Sequence, residues 1–274
     1  MIDRSSPHVH TQYCDGKSTA REMVQSALDK NFVSLGFSSH ALQNFDLAYA
    51  LTPEDEISYI AEIKQLKGEY ADRLPIWLGM ERDSLSIADR GKFEYVIGSV
   101  HYFEPLVGEK TAVDGPKDLV RQLIDSTFSG DGFQLTLAYY KQLGEYISRY
   151  KPDIIGHFDL IKKHRTALNL FEEEDPKYIK AATEAMDLCV TGCKLLEVNT
   201  GALARSGAKE PYPSLKLLEY WRSIGGQVIL SSDCHYAPQL DAGYDLGLAL
   251  INNAGYKKAA FLGRQDDLFE WCDL

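Results

Sequence analysis

The sequence predicts an α/β fold, a (β/α) barrel with seven strands, one short of the usual eight. Three observations carry that expectation. Seven short apolar runs recur along the chain, most of them closing with one or two small residues and then a polar side chain of the kind that binds metals. Amphipathic helical patterns lie between most of the runs, as in a chain of βαβ units. The polar residues stand at the carboxyl ends of the runs. In a barrel those ends converge on one face, where essentially all barrel active sites lie, whereas an open doubly wound sheet would gather them at a single crevice.

A first, weak strand ends at His8-Val9-His10. Thr19-Ala20-Arg21-Glu22 is then a capping box ahead of Met23, Val24, Ala27 and Leu28 at helical spacing. Val33-Ser34-Leu35-Gly36-Phe37-Ser38-Ser39 leads to His40, and Thr52-Pro53 supplies a cap and an N1 proline for a helix carrying Ile57, Ile60, Ile63 and Leu66. Ile76-Trp77-Leu78-Gly79-Met80 ends at Glu81, and Tyr95-Val96-Ile97-Gly98-Ser99-Val100 ends at His101, with room between them for only a short helix. The long connection from Tyr102 to Gly132 carries glycine, proline and acidic residues and reads as an insertion. Asp153-Ile154-Ile155-Gly156-His157, Lys194-Leu195-Leu196-Glu197-Val198-Asn199 and Gln227-Val228-Ile229-Leu230-Ser231-Ser232-Asp233 complete the strands. Further helices are expected around 117–126, 133–149, 176–190, 213–223 and 241–253. With no exact repeat, low-complexity tract or Pro/Ser-rich linker, residues 1–274 are expected to form a single domain with an inserted segment at about 102–132.

The composition is that of a soluble globular protein: 45% hydrophobic, 11% aromatic and 25% charged residues exclude disordered, collagenous and disulfide-scaffold classes. Forty acidic against twenty-nine basic residues give a net charge of −11. A field of that sign repels phosphate backbones and anionic headgroups, so neither nucleic acid nor membrane is an expected partner. An anionic substrate would bind only where the field is locally reversed. The N-terminus Met1-Ile2-Asp3-Arg4-Ser5-Ser6-Pro7 shows no signal-peptide pattern, and no apolar stretch is long enough to span a bilayer. Five cysteines, Cys14, Cys189, Cys193, Cys234 and Cys272, include no C-x-x-C pair, which fits free thiols in a reducing, cytoplasmic setting.

Six of the seven histidines, His8, His10, His40, His101, His157 and His235, stand at strand ends or directly after them; the seventh is His164. One histidine beside a strand is ordinarily a hydrogen-bonded structural residue, but six in equivalent positions point to metal binding. His8-x-His10 puts both imidazoles on one side of a strand, and Asp233-x-His235 repeats that spacing at the last one. Asp15, before Gly16, is by itself a turn residue. Glu81 is harder to dismiss, because a carboxylate at the end of an apolar strand is costly to desolvate unless paired or coordinated. Together these make nine nitrogen and oxygen donors, too many for one ion but suited to two or three sharing a bridging carboxylate, for which Glu81 is the choice. The donor set favours Zn, Mn, Fe or Co over Ca or Mg alone. Such ions reverse the field locally and favour an anionic substrate with oxygen ligands, and phosphoester hydrolysis fits best. Lys162, Lys163, His164 and Arg165 after the fifth strand, and Arg205 after the sixth, are either substrate-phosphate contacts or solvated charges.

His8-Val9-His10-Thr11 with Asp15-Gly16, His40, Glu81, Gly98-Ser99-Val100-His101, Gly156-His157-Phe158-Asp159-Leu160, Glu197-Val198-Asn199-Thr200 and Ser232-Asp233-Cys234-His235 resemble, in this order, the PHP (polymerase and histidinol phosphatase) superfamily. The similarity runs from residue 8 to about 240. The Gly-Ser-Val-His-Tyr and Gly-His-Phe-Asp-Leu-Ile-Lys-Lys segments, and Val-Asn-Thr-Gly followed by Tyr212-Pro213-Ser214, are most similar to its histidinol-phosphate phosphatases. The resemblance implies a distorted, TIM-like (β/α)7 barrel with the metal site at the C-terminal ends of the strands. It also implies hydrolysis of L-histidinol phosphate, a histidine-biosynthesis step, through attack by a metal-bridging hydroxide. By that similarity His8, His10, Glu81 and Asp233 hold one ion, Glu81, His101 and His157 a second, and Asp15, His40 and His235 a third. Asp233 or a neighbouring histidine, His235, manages the proton, and Arg205, Arg165 and Lys163 are the candidate substrate contacts.

Two positions depart from the commoner superfamily pattern: Ser39 precedes His40 where Asp is frequent, and Cys14 precedes Asp15 where Ser is frequent. Neither removes a donor. The amine and imidazole of the substrate would be read by loops, where Glu104, Glu109 and Asp114 either receive the ammonium or face solvent. Alternatives are a phosphoesterase acting on a nucleotide or on phosphotyrosine, and a catalytically inactive metal-binding module.

Overall fold

A computed structural model describes residues 3–106 and 109–274. Its strands are β1 (Arg4–Ser6), β2 (Phe32–Phe37), β3 (Ile76–Asp83), β4 (Tyr95–Ser99), β5 (Tyr102–Leu106), β6 (Glu109–Ala112), β7 (Ile154–Ile155), β8 (Leu195–Asn199), β9 (Gln227–Ser231), β10 (Lys258–Leu262) and β11 (Phe269–Asp273). The main sheet has the order β1-β2-β3-β4-β7-β8-β9-β10-β11, and β5 and β6 form a separate hairpin. The pairs from β1 through β10 are parallel, and β11 alone runs antiparallel, against β10.

The sheet closes on itself, but only at one end. Past β1, Val9 bridges Cys234 in parallel; the His10 amide donates to the Cys234 carbonyl at 2.8 Å and the Cys234 amide to the His8 carbonyl at 3.2 Å. At the other end β10 wedges between the first and last barrel strands. The Leu262 amide donates to Ser5 Oγ at 3.0 Å and Ser34 Oγ to the Leu262 carbonyl at 2.5 Å. The result is a distorted (β/α)7 barrel, closed where the strands end and pried open where they begin.

Helices form where capping residues and apolar periodicity coincide. Thr19 and Glu22 make the reciprocal capping box of the helix Ala20–Asp29, and Thr52 Oγ1 accepts from the Asp55 amide at the start of Pro53–Glu69. In the latter helix Tyr59, Ile63 and Leu66 are buried, while Ile57, expected on the apolar face, is 70% exposed. Lys117–Thr127, Gly132–Tyr150, Pro176–Gly192, Leu215–Ser223 and Tyr244–Asn253 lie where helices are expected. None is long and apolar enough to cross a membrane. The segment read as an insertion forms the β5–β6 hairpin and the helix Lys117–Thr127.

The regular part of the first strand lies at Arg4–Ser6, ahead of the His8-Val9-His10 run, because Pro7 lacks the amide a ladder needs. Strands β10 and β11 are additions to the sequence-based reading. Lys258-Ala259-Ala260-Phe261-Leu262 has no β-branched residue and ends in no donor, so it lacks the signature of the other strands.

Two glycines that precede strand-end donors make room for one aromatic ring inside the barrel. A Cβ on Gly36 would lie 2.3 Å from Tyr95 Oη, and one on Gly79 2.3–2.6 Å from the Tyr95 ring. Tyr95 is fully buried, and its hydroxyl donates to the carbonyls of Pro7 and Phe37. Gly79→Ala is therefore expected to lower the unfolding free energy by about 1–3 kcal/mol through overpacking, as read by denaturant titration. An unchanged midpoint would contradict this placement of Tyr95.

Candidate metal centre

The carboxyl ends of the barrel strands deliver one acidic and histidine-rich cluster. The extension of β1 carries His8 and His10, the next loop Asp15, the end of β2 His40, β3 Glu81, the ends of β4 and β7 His101 and His157, and the turn after β9 Asp233 and His235. Glu81 is the hub. Its Oε2 lies 3.2 Å from His8 Nε2, 3.5 Å from His10 Nε2 and 2.9 Å from His40 Nδ1; its Oε1 lies 2.9 Å from His157 Nε2 and 3.4 Å from His101 Nε2. Asp233 Oδ1 is 3.2 Å from His10 Nε2 and 3.6 Å from His8 Nε2. Asp15 reaches His235 Nε2 at 3.1 Å, His40 Nε2 at 3.5 Å and His10 Nδ1 at 3.7 Å. Asp233 takes a left-handed φ of 46°, a conformation Asp tolerates better than most residues.

Three sets of donor atoms come close enough to share an ion: His8, His10 and Asp233; His40, Glu81 and His101; and His10, Asp15, His40 and His235. His157 joins through Glu81 Oε1 and through His101, whose Nε2 is 3.1 Å from its own. Compared with the sets implied by resemblance, His10 and His40 each lie within reach of two groups.

The donor chemistry fits cations. His8 Nδ1 donates to Glu197 Oε2 at 2.9 Å, which leaves Nε2 pointing at Glu81 and Asp233. His8 Nε2, His10 Nε2 and Glu81 Oε2 are all buried without a hydrogen-bond partner. Buried acceptors facing one another at such distances are costly, and a cation among them satisfies all three.

Ionisation is set by the same neighbours. Burial opposes charge on Glu81, but His8, His101 and His40 outweigh it and hold the carboxyl well below its ordinary range. Asp233 is held low in the same way by Arg205 and His8 against burial, and Asp15 by His40 and His235. Burial disfavours the imidazolium of His8, yet Glu197, Asp233 and Glu81 raise its pKa, so positive charge is demanded at this position. His10 moves the other way, lowered by burial and by His235 and His40. For His101, burial is outweighed by Glu81 and Asp83, which push it up to about 9.

A supporting layer fixes the donors, and most of it escapes a reading based on donor positions alone. Glu197 accepts from His8 Nδ1, from the His157 amide at 2.5 Å, from Asn199 Nδ2 at 2.8 Å and from Ser231 Oγ at 2.7 Å. Asn199 also donates to Asp233 Oδ2 at 3.1 Å. Asp83 accepts from the amides of His101 and Leu85 at 2.6 and 2.8 Å and sits 3.6 Å from His101 Nδ1. The available signal was a carboxylate inside the apolar run Leu195-Leu196-Glu197-Val198, which is costly to bury without partners.

The rim residues diverge. Arg205 faces the cluster, 2.7 Å from Asp233 Oδ2 and 2.9 Å from His235 Nδ1. Lys163 pairs with Asp114 at 3.2 Å, and Lys162 with Asp159 at 3.1 Å. Arg165, a candidate substrate contact, pairs with Glu173 at 3.1 Å within reach of the acidic run Glu172-Glu173-Glu174. Glu104 pairs with Lys110, and His164 donates to the Gly115 carbonyl. Burial raises the Cys14 thiol to about 11 and the Cys234 thiol to about 12, and all five cysteines are free.

A closed parallel barrel with a cluster of histidines and carboxylates at its strand ends defines a barrel protein built to hold metal ions. The chain belongs to the PHP domain family, whose profile matches residues 6–201. It is 26% identical over 290 residues to a Schizosaccharomyces pombe protein named "Probable histidinol-phosphatase", across 96% of this chain and 90% of the relative. A Deinococcus radiodurans protein of the same name is 29% identical over 276 residues, across 97% and 99%. The fold is also that of histidinol phosphate phosphatase from Lactococcus lactis, solved with zinc, L-histidinol and phosphate: TM-score 0.68, 20% identity, 94% of this chain and 96% of that one.

Glu197→Gln is expected to weaken divalent-metal binding by about 10- to 100-fold, the usual effect of losing a partner that orients a ligating histidine. Metal titration followed by elemental analysis reads this directly, and undiminished affinity would remove Glu197 from the support of His8.

Proposed function

We propose that this protein is a metal-dependent phosphomonoesterase that hydrolyses L-histidinol phosphate to L-histidinol and phosphate. The observation that carries the metal dependence is Glu81 in contact with five imidazoles, beside buried donors that no protein group satisfies. The substrate rests on the names of the full-length relatives and on the ligands of the Lactococcus lactis structure.

His8, His10, Glu81 and Asp233, then Glu81, His101 and His157, and then Asp15, His40 and His235 would hold two to three ions, of Zn, Mn, Fe or Co. Bound there, such ions acidify water and neutralise the charge of a phosphate ester. The protein's own residues do the rest. In the reaction an oxygen of water forms a bond to phosphorus, the bond from phosphorus to the alcohol oxygen breaks, and the alcohol takes up a proton. Asp233, bonded to Asn199 and Arg205, and His235, held between Asp15 and Arg205, would carry that proton. Arg205 is the candidate contact to phosphate oxygens and Lys163 a contact farther out on the rim. Residues 1–274 act as one domain with an insertion at about 102–132, in the cytoplasm; the net charge of −11 supports a small-molecule substrate over a polynucleotide.

Phosphate release from L-histidinol phosphate, a nucleoside monophosphate and an aryl phosphate, measured with metal content on the same sample, tests the reading. Preference for histidinol phosphate by several orders of magnitude is expected, and turnover is expected to fall at least about 100-fold on chelation and to return with divalent metal. Turnover without that preference would remove the substrate; full metal loading with no turnover would remove the enzyme. Asp233→Asn is expected to cut kcat by about 10²- to 10⁴-fold while the thermal transition persists. A fully active, normally metallated variant would take Asp233 out of both roles.

A further inference from the structure

Outside the metal cluster, one acidic side chain is brought to its rim by the segment that the sequence marks as an insertion. The chain leaves β4 at His101, forms the β5–β6 hairpin and returns to where it left: Tyr102 pairs with Ala112, and the Val113 amide donates to the His101 carbonyl at 2.7 Å. Asp114 follows immediately. From the other side, the loop after His157 reaches across, with Lys163 Nζ 3.2 Å from Asp114 Oδ2 and His164 Nε2 donating to the Gly115 carbonyl at 2.7 Å. Asp114 is thereby clamped between the strand ends that supply His101 and His157, and its carboxylate feels the field of both imidazoles. Beside it Tyr49 stacks on His40 at 3.8 Å and meets His101 and Tyr102 edge-on at 5.7 and 5.9 Å.

The neighbouring carboxylates are already committed. Asp83 accepts backbone amides, Asp46 accepts the Tyr102 hydroxyl at 2.6 Å, and Asp159 is fully buried against Lys162. Among the described residues, Asp114 bonds to one side chain only, the ammonium of Lys163, and both partners are reachable, at 24% and 36% side-chain exposure. A substrate cation replaces such a partner at little desolvation cost, exchanging one charge-assisted hydrogen bond for another. A second negative charge on the alcohol would meet a carboxylate instead, so the same residue selects against anionic alcohols.

We propose that Asp114 is a specificity-determining residue, which exchanges its Lys163 partner for a positively charged group, ammonium or imidazolium, on the alcohol portion of the phosphoester. The inference rests on the phosphomonoesterase reading and names the group that reads the substrate's cation.

The test uses the metal-replete full chain and the ratio of kcat/KM for L-histidinol phosphate to that for 4-nitrophenyl phosphate. Asp114→Asn is expected to lower this ratio by about 10- to 100-fold, the usual weight of a hydrogen bond to a charged group. Lys163→Gln breaks the same ion pair but keeps the carboxylate; loss of its rim contact to phosphate lowers kcat/KM for both esters alike, so the ratio is expected to stay level or rise. An unchanged ratio in Asp114→Asn, or an equal drop in both variants, would overturn the proposal, the second outcome making the pair a structural clamp. Phosphoethanolamine against ethyl phosphate separates the two readings. If the unmodified protein prefers the cationic ester without favouring histidinol phosphate, and Asp114→Asn abolishes that preference, the named substrate falls and Asp114 stands; no preference for either cationic ester defeats both.

Discussion

A carboxylate buried to 1% exposure at the closed end of a parallel barrel has to be matched by positive charge, and the strand ends are arranged around that requirement at Glu81. Moving one such ion out of water costs several kcal/mol unless compensated. Here compensation arrives from β1, β2, β4 and β7 at once, as imidazoles with nitrogens 2.9–3.5 Å from its oxygens. Asp15, Asp233 and Glu197 flank those imidazoles from farther out. A cation bound among these donors would invert the local field within a chain whose net charge is −11.

Rigidity in such a site comes from the layer behind the donors. Glu197, on β8, bonds to His8 beyond β1, to the backbone beside β7 and to Ser231 on β9. One side chain thus sets the spacing of three strand ends, and it does so in a low-dielectric interior where each bond is strengthened by the others. Asp83 performs the same service for His101. Tyr95 fills the barrel over Gly36 and Gly79, just below His40 and Glu81, and fixes the floor on which these residues stand.

Much of this was legible in the sequence, for a physical reason. Donors that converge must leave their strands at equivalent points, so the repeated apolar-small-polar pattern carries the barrel and the cluster together. Capping boxes and N1 prolines mark helix starts through local hydrogen bonds, and Thr19 and Thr52 stand where those rules put them. What escaped depends on distant partners. Nothing local distinguishes Arg205, aimed at Asp233, from Arg165, aimed at Glu173. Glu197 and Asp83 act through residues far along the chain, and β10 is a strand because β11 and β9 pair with it, not because Lys258-Ala259-Ala260 favours one.

The seam between Val9 and Cys234 joins the first and last barrel strands across more than two hundred residues of chain, and His8, His10, Asp233 and His235 flank it. During synthesis the first two histidines emerge more than two hundred residues ahead of the other pair, so no part of the cluster that includes Asp233 can assemble until the last barrel strand has left the ribosome. Contacts of such sequence separation form late and slowly. A cation bound at this seam would be coupled to completion of the barrel: a chain that stops before β9 lacks the clasp, and an ion held across it would tie the first barrel strand to the last and make the fold harder to reopen.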